Sequence, residues 1–173
     1  MNYFLESKNI GLRRIEEEDD LYNYQKWFND AEVNIHNSHA TFPLTILEIK
    51  QFLRSLDKST LHLSVYLKEN NCHIGNLSLQ SIDYINRTAE LAIIMGEKKY
   101  WGKGYAFEAC SQIIQHGYEK LNLRRIYCGT SELNMGMQRL AIKLGMELEG
   151  RRKGAIFHLN RYVDLLEYGM NKN

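Results

Sequence analysis

Three strand-like segments follow one another in the middle of the chain, and only short turns separate them. They are Leu61–Leu67, His73–Ile82 and Thr88–Met95. The links between them, residues 69–71 and 83–87, contain asparagine and aspartate, which favour turns. Strands joined in this way pair with their neighbours in opposite directions. The sequence therefore predicts an antiparallel meander at the centre of the fold.

Two helices are predicted ahead of these strands. The acidic stretch 16–20 suits a helix N-terminus, where carboxylates meet the positive end of the helix dipole, and this helix runs to about Asn29. Thr45 and Glu48 have the spacing of a capping box, which predicts the start of a second helix. A short strand at about residues 10–14 precedes both helices.

Helices and strands alternate after the meander. A long helix over residues 105–121 has apolar residues at a 3.6-residue period, and a shorter helix over 135–144 is closed by Gly145. A strand over 125–130 lies between them, and a closing hairpin is predicted over 147–170. The order predicts an α+β fold with a mixed, mostly antiparallel sheet of about seven strands and about four flanking helices.

Composition argues against several classes of function. A balance of 22 basic against 21 acidic residues is a poor basis for sequence-independent binding to nucleic acid. The three cysteines lack CxxC spacing and the six histidines lack metal-ligand spacing, so neither a disulfide framework nor a metal site is predicted. No apolar run approaches the roughly 18 residues of a membrane span, and no signal peptide is evident. We therefore expect a single cytoplasmic domain over residues 1–173.

The segment that carries chemistry lies where the third strand of the meander meets the long helix. Gly102 and Gly104 let the backbone approach an anion closely, at the positive end of the helix dipole. The amides available to such an anion are those of Lys103, Gly104, Tyr105 and Ala106. A dinucleotide fingerprint would need a third glycine at Phe107, and the P-loop pattern is absent. The two glycines alone fit a tight turn before a buried helix equally well.

The run Trp101-Gly-Lys-Gly-Tyr-Ala106, preceded by a strand that bears Glu90, resembles the pyrophosphate-binding loop of the GNAT family of acetyl-CoA-dependent N-acetyltransferases. The resemblance extends over nearly the whole chain, from the first strand at Gly11 to the helix after Asn134 and the closing hairpin. The motif that begins at Tyr100 is similar to the one found in the branch of ribosomal-protein N-terminal, polyamine and amino-sugar-nucleotide acetyltransferases. The resemblance implies a GNAT fold for the whole chain. Homodimers are common among such proteins, and the sequence does not decide that point.

The resemblance also implies a site for acetyl-CoA as co-substrate. The loop and the helix start would hold the pyrophosphate, and the backbone of Ile93, Ile94 and Met95 would pair with the pantetheine amides. Two positions depart from the family pattern. Many relatives have Gln or Arg where Trp101 stands, and a hydroxyl residue often occupies the position of Phe107.

Glu90 is the candidate general base. An amine with a pKa near 10.4 is almost wholly protonated at neutral pH, so a carboxylate that accepts its proton assists transfer. Strand alternation places Glu90 with Ala92 and Ile94 on one face, where partial burial would raise its pKa. A salt bridge with Arg87 is the structural alternative. Many relatives place a tyrosine acid where this chain has Ala141, so the general acid is not predicted.

Two further residues have competing interpretations. Asn134 would hydrogen-bond the pantetheine or the product sulfur, although asparagine is also among the best helix N-caps. Cys128 lies on a strand that would face the co-substrate, but no His–Asp pattern indicates that it is activated. Direct transfer without a covalent intermediate is therefore the predicted mechanism.

The sequence leaves the acceptor open among an amino-sugar nucleotide, a polyamine and a protein N-terminus. His36 and His39 fall in the loop that borders the acceptor cleft in this family, although surface histidines are the simpler interpretation. Arg151 and Arg152 are either solvated charges or contacts for an anionic acceptor. A catalytically weak CoA-binding module with the same fold is the alternative to an enzyme.

Overall fold

The computed structural model of the chain describes residues 2–15, 21–37 and 41–172. A single eight-stranded sheet has the strand order β1-β2-β3-β4-β5-β6-β8-β7. The strands are β1 (Leu5–Glu6), β2 (Ile10–Arg13), β3 (Leu61–Leu67), β4 (Cys72–Asp83), β5 (Thr88–Met95), β6 (Arg125–Ser131), β7 (Glu147–His158) and β8 (Arg161–Asn171). The helices are α1 (Leu21–Phe28), α2 (Ile46–Ser55), α3 (Tyr105–Glu119) and α4 (Met135–Lys143).

The predicted α+β architecture is confirmed, including the antiparallel meander of β3, β4 and β5. One strand more than predicted is present, because β1 is only two residues long and depends on pairing with β2. The predicted long helix ends at Glu119, and the capping box of Thr45 and Glu48 is formed. The acidic stretch 16–20 lies outside the described residues.

The sheet opens between β5 and β6. These neighbours are the parallel pair of the sheet, and their ladder joins Thr88 to Arg125, Ala89 to Ile126 and Glu90 to Tyr127. Beyond Glu90, β5 continues to pair with β4, and beyond Tyr127, β6 continues to pair with β8. The two strands therefore diverge from this last pair, and a gap forms between residues 91–95 and 128–131.

The main hydrophobic core lies between α3 and one face of the sheet. Ile113 of α3 and Leu79, Leu91 and Ile126 of the strands are almost completely buried there. Gly117 of α3 is needed for close packing, because a β-carbon at this position would lie 2.9 Å from the Leu79 side chain. This burial holds α3 firmly against β4 and β5, so the start of the helix has a fixed position beside the gap.

The start of α3 is also tied to the turn between β1 and β2. The carboxylate of Glu108, in the first turn of the helix, accepts hydrogen bonds from the Ser7 hydroxyl at 2.6 Å and from the Asn9 backbone N–H at 2.7 Å. Partial burial alone would raise the pKa of Glu108, but these hydrogen bonds together outweigh burial and hold the pKa below its usual value. A carboxylate in the first turn is favoured by the helix dipole as well.

Helix α1 packs against the segment that follows β5. Trp27 is 1% exposed, and its indole N–H donates to Glu97 Oε1 at 3.2 Å. The indole ring covers Gly96, where a β-carbon would overlap it. Lys98 Nζ lies 2.9 Å from Asp30 Oδ2, which ties the same segment to the turn after α1.

We expect Gly96→Ala to lower the free energy of unfolding by about 1–3 kcal/mol, because Trp27 must move to make room for the added methyl group. Gly129→Ala is the matched control, since its β-carbon would meet Leu165 Cδ1 at an ordinary 3.4 Å. Urea denaturation of both variants measures the difference. Equal stabilities of the two variants would show that the contact between Trp27 and Gly96 is not tight.

Candidate functional site

The loop between β5 and α3 presents unpaired backbone amides. Gly102 has φ 73° and Gly104 has φ 85°, in the left-handed region that favours glycine. Gly104 is the N-cap residue of α3, and no side chain caps the helix there. The first helical hydrogen bond runs from Glu108 N–H to the Gly104 carbonyl. Within the described part of the chain, the amides of residues 103–107 donate to no acceptor, so the predicted anion-binding donors are available.

Space lies open in front of these amides. A β-carbon built on Gly102 or Gly104 would meet no atom within 4 Å. Farther along α3, an open groove of about 350 Å³ between α3 and α4 has Phe107, Ser111 and Lys143 in its lining, but no residue of the glycine loop contributes to it. Glu90 lies five residues before Met95 along β5, so the anion-binding end and the candidate base lie at opposite ends of the gap.

Basic side chains surround the same helix start. Lys103 Nζ lies 5.3 Å from the ring centroid of Tyr100, and Lys143 Nζ lies 4.6 Å from that of Phe107. Lys143 was not identified from the sequence, because only the packing of α4 against α3 brings it to this position. Phe107 lacks the hydroxyl that is frequent among relatives, but its ring positions an ammonium group near the free amides.

The strand edge predicted to pair with pantetheine borders the gap between β5 and β6. Ile93, Ile94 and Met95 all lie beyond the last pair with β6. The Met95 carbonyl already accepts a hydrogen bond from the indole N–H of Trp101 at 2.7 Å. Trp101 therefore lies along the gap, with 42% of its surface exposed. The structure brings the three strand residues and the glycine loop to one end of the gap.

Glu90 occupies the closed end of the gap. It is half-buried, and its Oε2 accepts a hydrogen bond from Gln80 Nε2 at 3.2 Å. The alternative salt bridge with Arg87 is not formed. The Arg87 guanidinium instead donates to the carbonyl and the side-chain oxygen of Asn122, both at 2.7 Å. The Glu90 carboxylate is thus hydrogen-bonded to a neutral side chain, and Arg87 does not pair with it.

Tyr127 lies directly beside Glu90 and was not identified from the sequence. The two residues are paired across β5 and β6, so their side chains lie on the same face of the sheet. Burial, and then the negative charge of Glu90, raise the pKa of Tyr127, while Arg125 opposes them. Only the register between these distant strands reveals the pair.

Asn134 caps α4. Its Oδ1 accepts the Met137 N–H at 3.1 Å, so the structural interpretation of this residue is confirmed, and its predicted contact with co-substrate stays a prediction. Ala141 is 0% exposed and packs in the main core, where it presents no polar group. Cys128 is buried as well, and burial followed by the charge of Glu90 raises its pKa to about 11. A thiol with that pKa is protonated at neutral pH and is a weak nucleophile.

On the predicted acceptor side, the loop after α1 lies against the tip of the β7–β8 hairpin. The rings of His36 and His158 lie 5.2 Å apart between centroids. Burial, and then the neighbouring His158, lower the pKa of His36, which favours its neutral form. His39 lies outside the described residues.

The two arginines that suggested an anionic acceptor are both paired within the protein. Arg151 Nη1 lies 3.1 Å from Asp164 Oδ2 and 3.7 Å from Glu132 Oε2. Arg152 Nη2 lies 3.2 Å from Glu167 Oε1. An anionic acceptor would therefore have to compete with these carboxylates for the two guanidinium groups.

The described part of the chain contains neither a membrane-spanning helix nor a group of metal-binding side chains. Among residues 2–15, 21–37 and 41–172, no helix is both long and apolar enough to span a bilayer. In the same ranges, no group of three or more His, Cys, Asp or Glu side chains is placed to hold a metal ion.

Comparison with known proteins gives consistent matches. A model of the acetyltransferase (GNAT) domain matches residues 9–147. The uncharacterized N-acetyltransferase p20 of Bacillus licheniformis is 27% identical over 173 residues, which cover 97% of this chain and 96% of the relative.

Solved structures share the fold. Spermidine N-acetyltransferase from Vibrio cholerae, crystallised in complex with CoA and spermine, superposes with a TM-score of 0.84 at 23% identity, covering 95% of this chain and 96% of that chain. RimL, a ribosomal L7/L12 α-N-protein acetyltransferase in complex with CoA, superposes with a TM-score of 0.85 at 17% identity, covering 95% of each chain.

Proposed function

The chain belongs to the GNAT family of acetyltransferases, as the sequence resemblance predicted, and from this premise we propose that it transfers the acetyl group of acetyl-CoA directly to a primary amine. One observation carries the proposal. The free amides at the start of α3 and the gap between β5 and β6 adjoin each other, and Glu90 closes the far end of that gap.

The donor end of the site suits a pyrophosphate. The amides of residues 103–106 supply uncharged hydrogen-bond donors, and the α3 dipole adds a partial positive charge. Lys103 and Lys143 add full charges beside them. The unpaired edge of β5 at Ile93–Met95 offers backbone groups to the amides of pantetheine. Trp101 would share the Met95 carbonyl with them or move aside.

Glu90 acts on the acceptor. Converting an ammonium group with a pKa near 10.4 to the free amine costs about 4 kcal/mol at neutral pH. Removal of this proton is therefore a substantial part of the free energy that the reaction requires. The Glu90 carboxylate accepts this proton, directly or through water. Once that proton has passed on to solvent, the nitrogen bonds to the thioester carbon, its second proton passes to Glu90, and the carbon–sulfur bond breaks. Asn134, the N-cap of α4, adds a side-chain amide that hydrogen-bonds the pantetheine or the product sulfur.

The acceptor class follows from the charges. Arg151 and Arg152 are each paired with carboxylates, which leaves them poorly suited to bind a diphosphate. Glu90 attracts a cation rather than an anion. We therefore infer that the acceptor is an amine without phosphate groups, a polyamine or a protein N-terminus. The names of the spermidine and ribosomal-protein acetyltransferases among its structural neighbours support this class.

We expect Gly104→Ala to weaken CoA binding at least about tenfold, because the substituted residue resists the left-handed conformation that orients the free amides. Gly145→Ala is a matched control. Gly145 has φ 90°, a β-carbon there also meets no atom within 4 Å, and it lies outside the loop. Both variants should lose similar stability, about 1 kcal/mol. Isothermal titration calorimetry with CoA separates them, and equal affinities of the two variants would contradict the assignment of this loop.

We expect release of free CoA thiol from acetyl-CoA in the presence of spermidine or a peptide with a free N-terminus, and none with an amino-sugar nucleotide. The reason is that the carboxylates paired with Arg151 and Arg152 compete with a diphosphate for these two arginines. A thiol assay with all three acceptors provides the measurement. Turnover with the nucleotide sugar would contradict the acceptor class. CoA-dependent thermal stabilisation without turnover would instead favour a CoA-binding module.

We expect Glu90→Gln to lower kcat at least about 100-fold with the best acceptor, because the amide cannot accept the ammonium proton. The affinity for CoA should stay unchanged, since Glu90 lies away from the anion-binding loop. Glu119→Gln, at the far end of α3, is the matched control and should retain full activity. Near-normal turnover of Glu90→Gln across the pH range would exclude the base role.

A further inference from the structure

The position of Tyr127 sets it apart from the other hydroxyl groups near the gap. With Glu90 it forms the last pair of the β5–β6 ladder, directly at the point where the strands diverge. Its side chain is on the same face as the Glu90 carboxylate, and it is half-buried. Any thioester that enters the gap along Ile93–Met95 ends near this pair.

The Tyr127 hydroxyl is available as a donor. Within the described part of the chain it makes no hydrogen bond, unlike the Tyr100 hydroxyl, which accepts from Asn70 at 3.0 Å. The Arg125 guanidinium lies 6.0 Å from the centroid of the Tyr127 ring, and Arg125 Nη1 is itself fixed by Glu149 Oε1 at 2.6 Å. The Arg125 side chain thus lies beside the Tyr127 ring, while the Tyr127 hydroxyl stays free.

Other candidates for a proton donor are occupied or misplaced. Ala141 has no polar group and is completely buried. The Ser131 hydroxyl, further along β6, accepts the Leu133 N–H at 3.2 Å in the turn before α4. Cys128 faces the core and contacts Met146. Tyr127 alone combines a free hydroxyl with a place beside Glu90 among these residues.

We propose that Tyr127 donates the proton that the leaving sulfur of CoA requires and that Glu90 restores it. This inference rests on the proposed function. The acceptor enters this step as the free amine, after its ammonium proton has been released to solvent. The proton that the nitrogen loses as it bonds to the acetyl carbon passes to the Glu90 carboxylate. The carbon–sulfur bond breaks, its electron pair stays on sulfur, and the Tyr127 proton moves to that sulfur. The Tyr127 oxygen then takes the proton held by Glu90. Both side chains end as they began, and the products are the acetylated amine and the CoA thiol.

The size of the effect follows from the leaving group. A thiol pKa near 8.5 makes a thiolate a tolerable leaving group at neutral pH, so the assistance is modest. We expect Tyr127→Phe to lower the single-turnover rate about 10- to 100-fold, at or below the low end for general acid catalysis. The dissociation constant for CoA should stay within about twofold of the wild-type value, and the melting temperature within about 2 °C. The substitution removes only a hydroxyl group that has no hydrogen-bond partner in the described part of the chain.

Tyr118→Phe is the matched control. Tyr118 is also half-buried, and burial also raises its pKa, but it lies near the end of α3. It should retain the wild-type rate. A proton inventory in mixtures of H₂O and D₂O adds a readout that a structural role would not change. The wild-type curve should bend, since two protons move, and the Tyr127→Phe plot should be linear.

A measurement without turnover tests the pairing itself. In protein labelled with ¹³Cζ-tyrosine, the Tyr127 resonance is assigned by its loss in Tyr127→Phe. Its titration midpoint should move to lower pH in Glu90→Gln, because the negative charge that opposes ionisation is removed. An unchanged midpoint would overturn the shuttle.

The outcomes separate the two proposals. Wild-type protein that acetylates no amine overturns the proposed function, and the shuttle falls with it. Active wild-type protein together with full single-turnover activity of Tyr127→Phe overturns the shuttle alone. Active wild-type protein, a slow Tyr127→Phe and a shifted Tyr127 midpoint in Glu90→Gln support both.

Discussion

The structure depends on the point at which β5 and β6, the parallel neighbours among the described strands, stop pairing. β5 and β6 are joined by residues 88–90 and 125–127, and each then follows its other neighbour. Backbone groups on an unpaired strand edge need partners, since a buried amide without one is costly. Part of that need is met by Trp101, whose indole N–H reaches Met95. The remaining groups on the β5 edge stay available to a ligand that itself carries amides, as the proposed co-substrate does.

The start of α3 reflects the same compromise between stability and binding. Serine, threonine, aspartate or asparagine as N-cap would satisfy one free amide and stabilise the helix by about 1 kcal/mol. Thr45 and Asn134 do so for α2 and α4. Gly104 does not, and α3 is stabilised instead by burial of its apolar face and by the hydrogen bonds that Glu108 accepts from Ser7 and Asn9. The helix keeps its start free because its stability is supplied elsewhere.

Local signals made most of the fold predictable. The capping box at Thr45, the left-handed Gly145 and the turns of the meander each depend on residues near in sequence, and all are found. Contacts between distant segments escaped prediction. Lys143 reaches the loop only through helix packing, and Tyr127 meets Glu90 only through strand register. Arg87 was a reasonable partner for Glu90 by proximity, but its backbone has φ 58° and its side chain bonds to Asn122 instead. The loop, the β5 edge and Glu90 were thus predicted from the glycines, the strand alternation and the family resemblance, whereas Tyr127 and Lys143 emerge only from the assembled sheet and the packed helices.

The second face of the sheet, on which Glu90 lies, is polar rather than apolar. α1 and α2 bury their apolar residues largely against each other, in a small cluster that includes Leu21, Tyr24, Ile49 and Leu53. The strands beneath them therefore carry Ser64, Asn76 and Ser78, all buried, in place of a second apolar core. His62 stacks near Tyr24, and burial followed by the influence of His73 lowers its pKa to about 4, so it is neutral at pH 7. A neutral His62 adds no positive charge to the face that carries the negative charge of Glu90. That charge can then be neutralised by the ammonium group of an acceptor, which brings the proton to the group that must remove it.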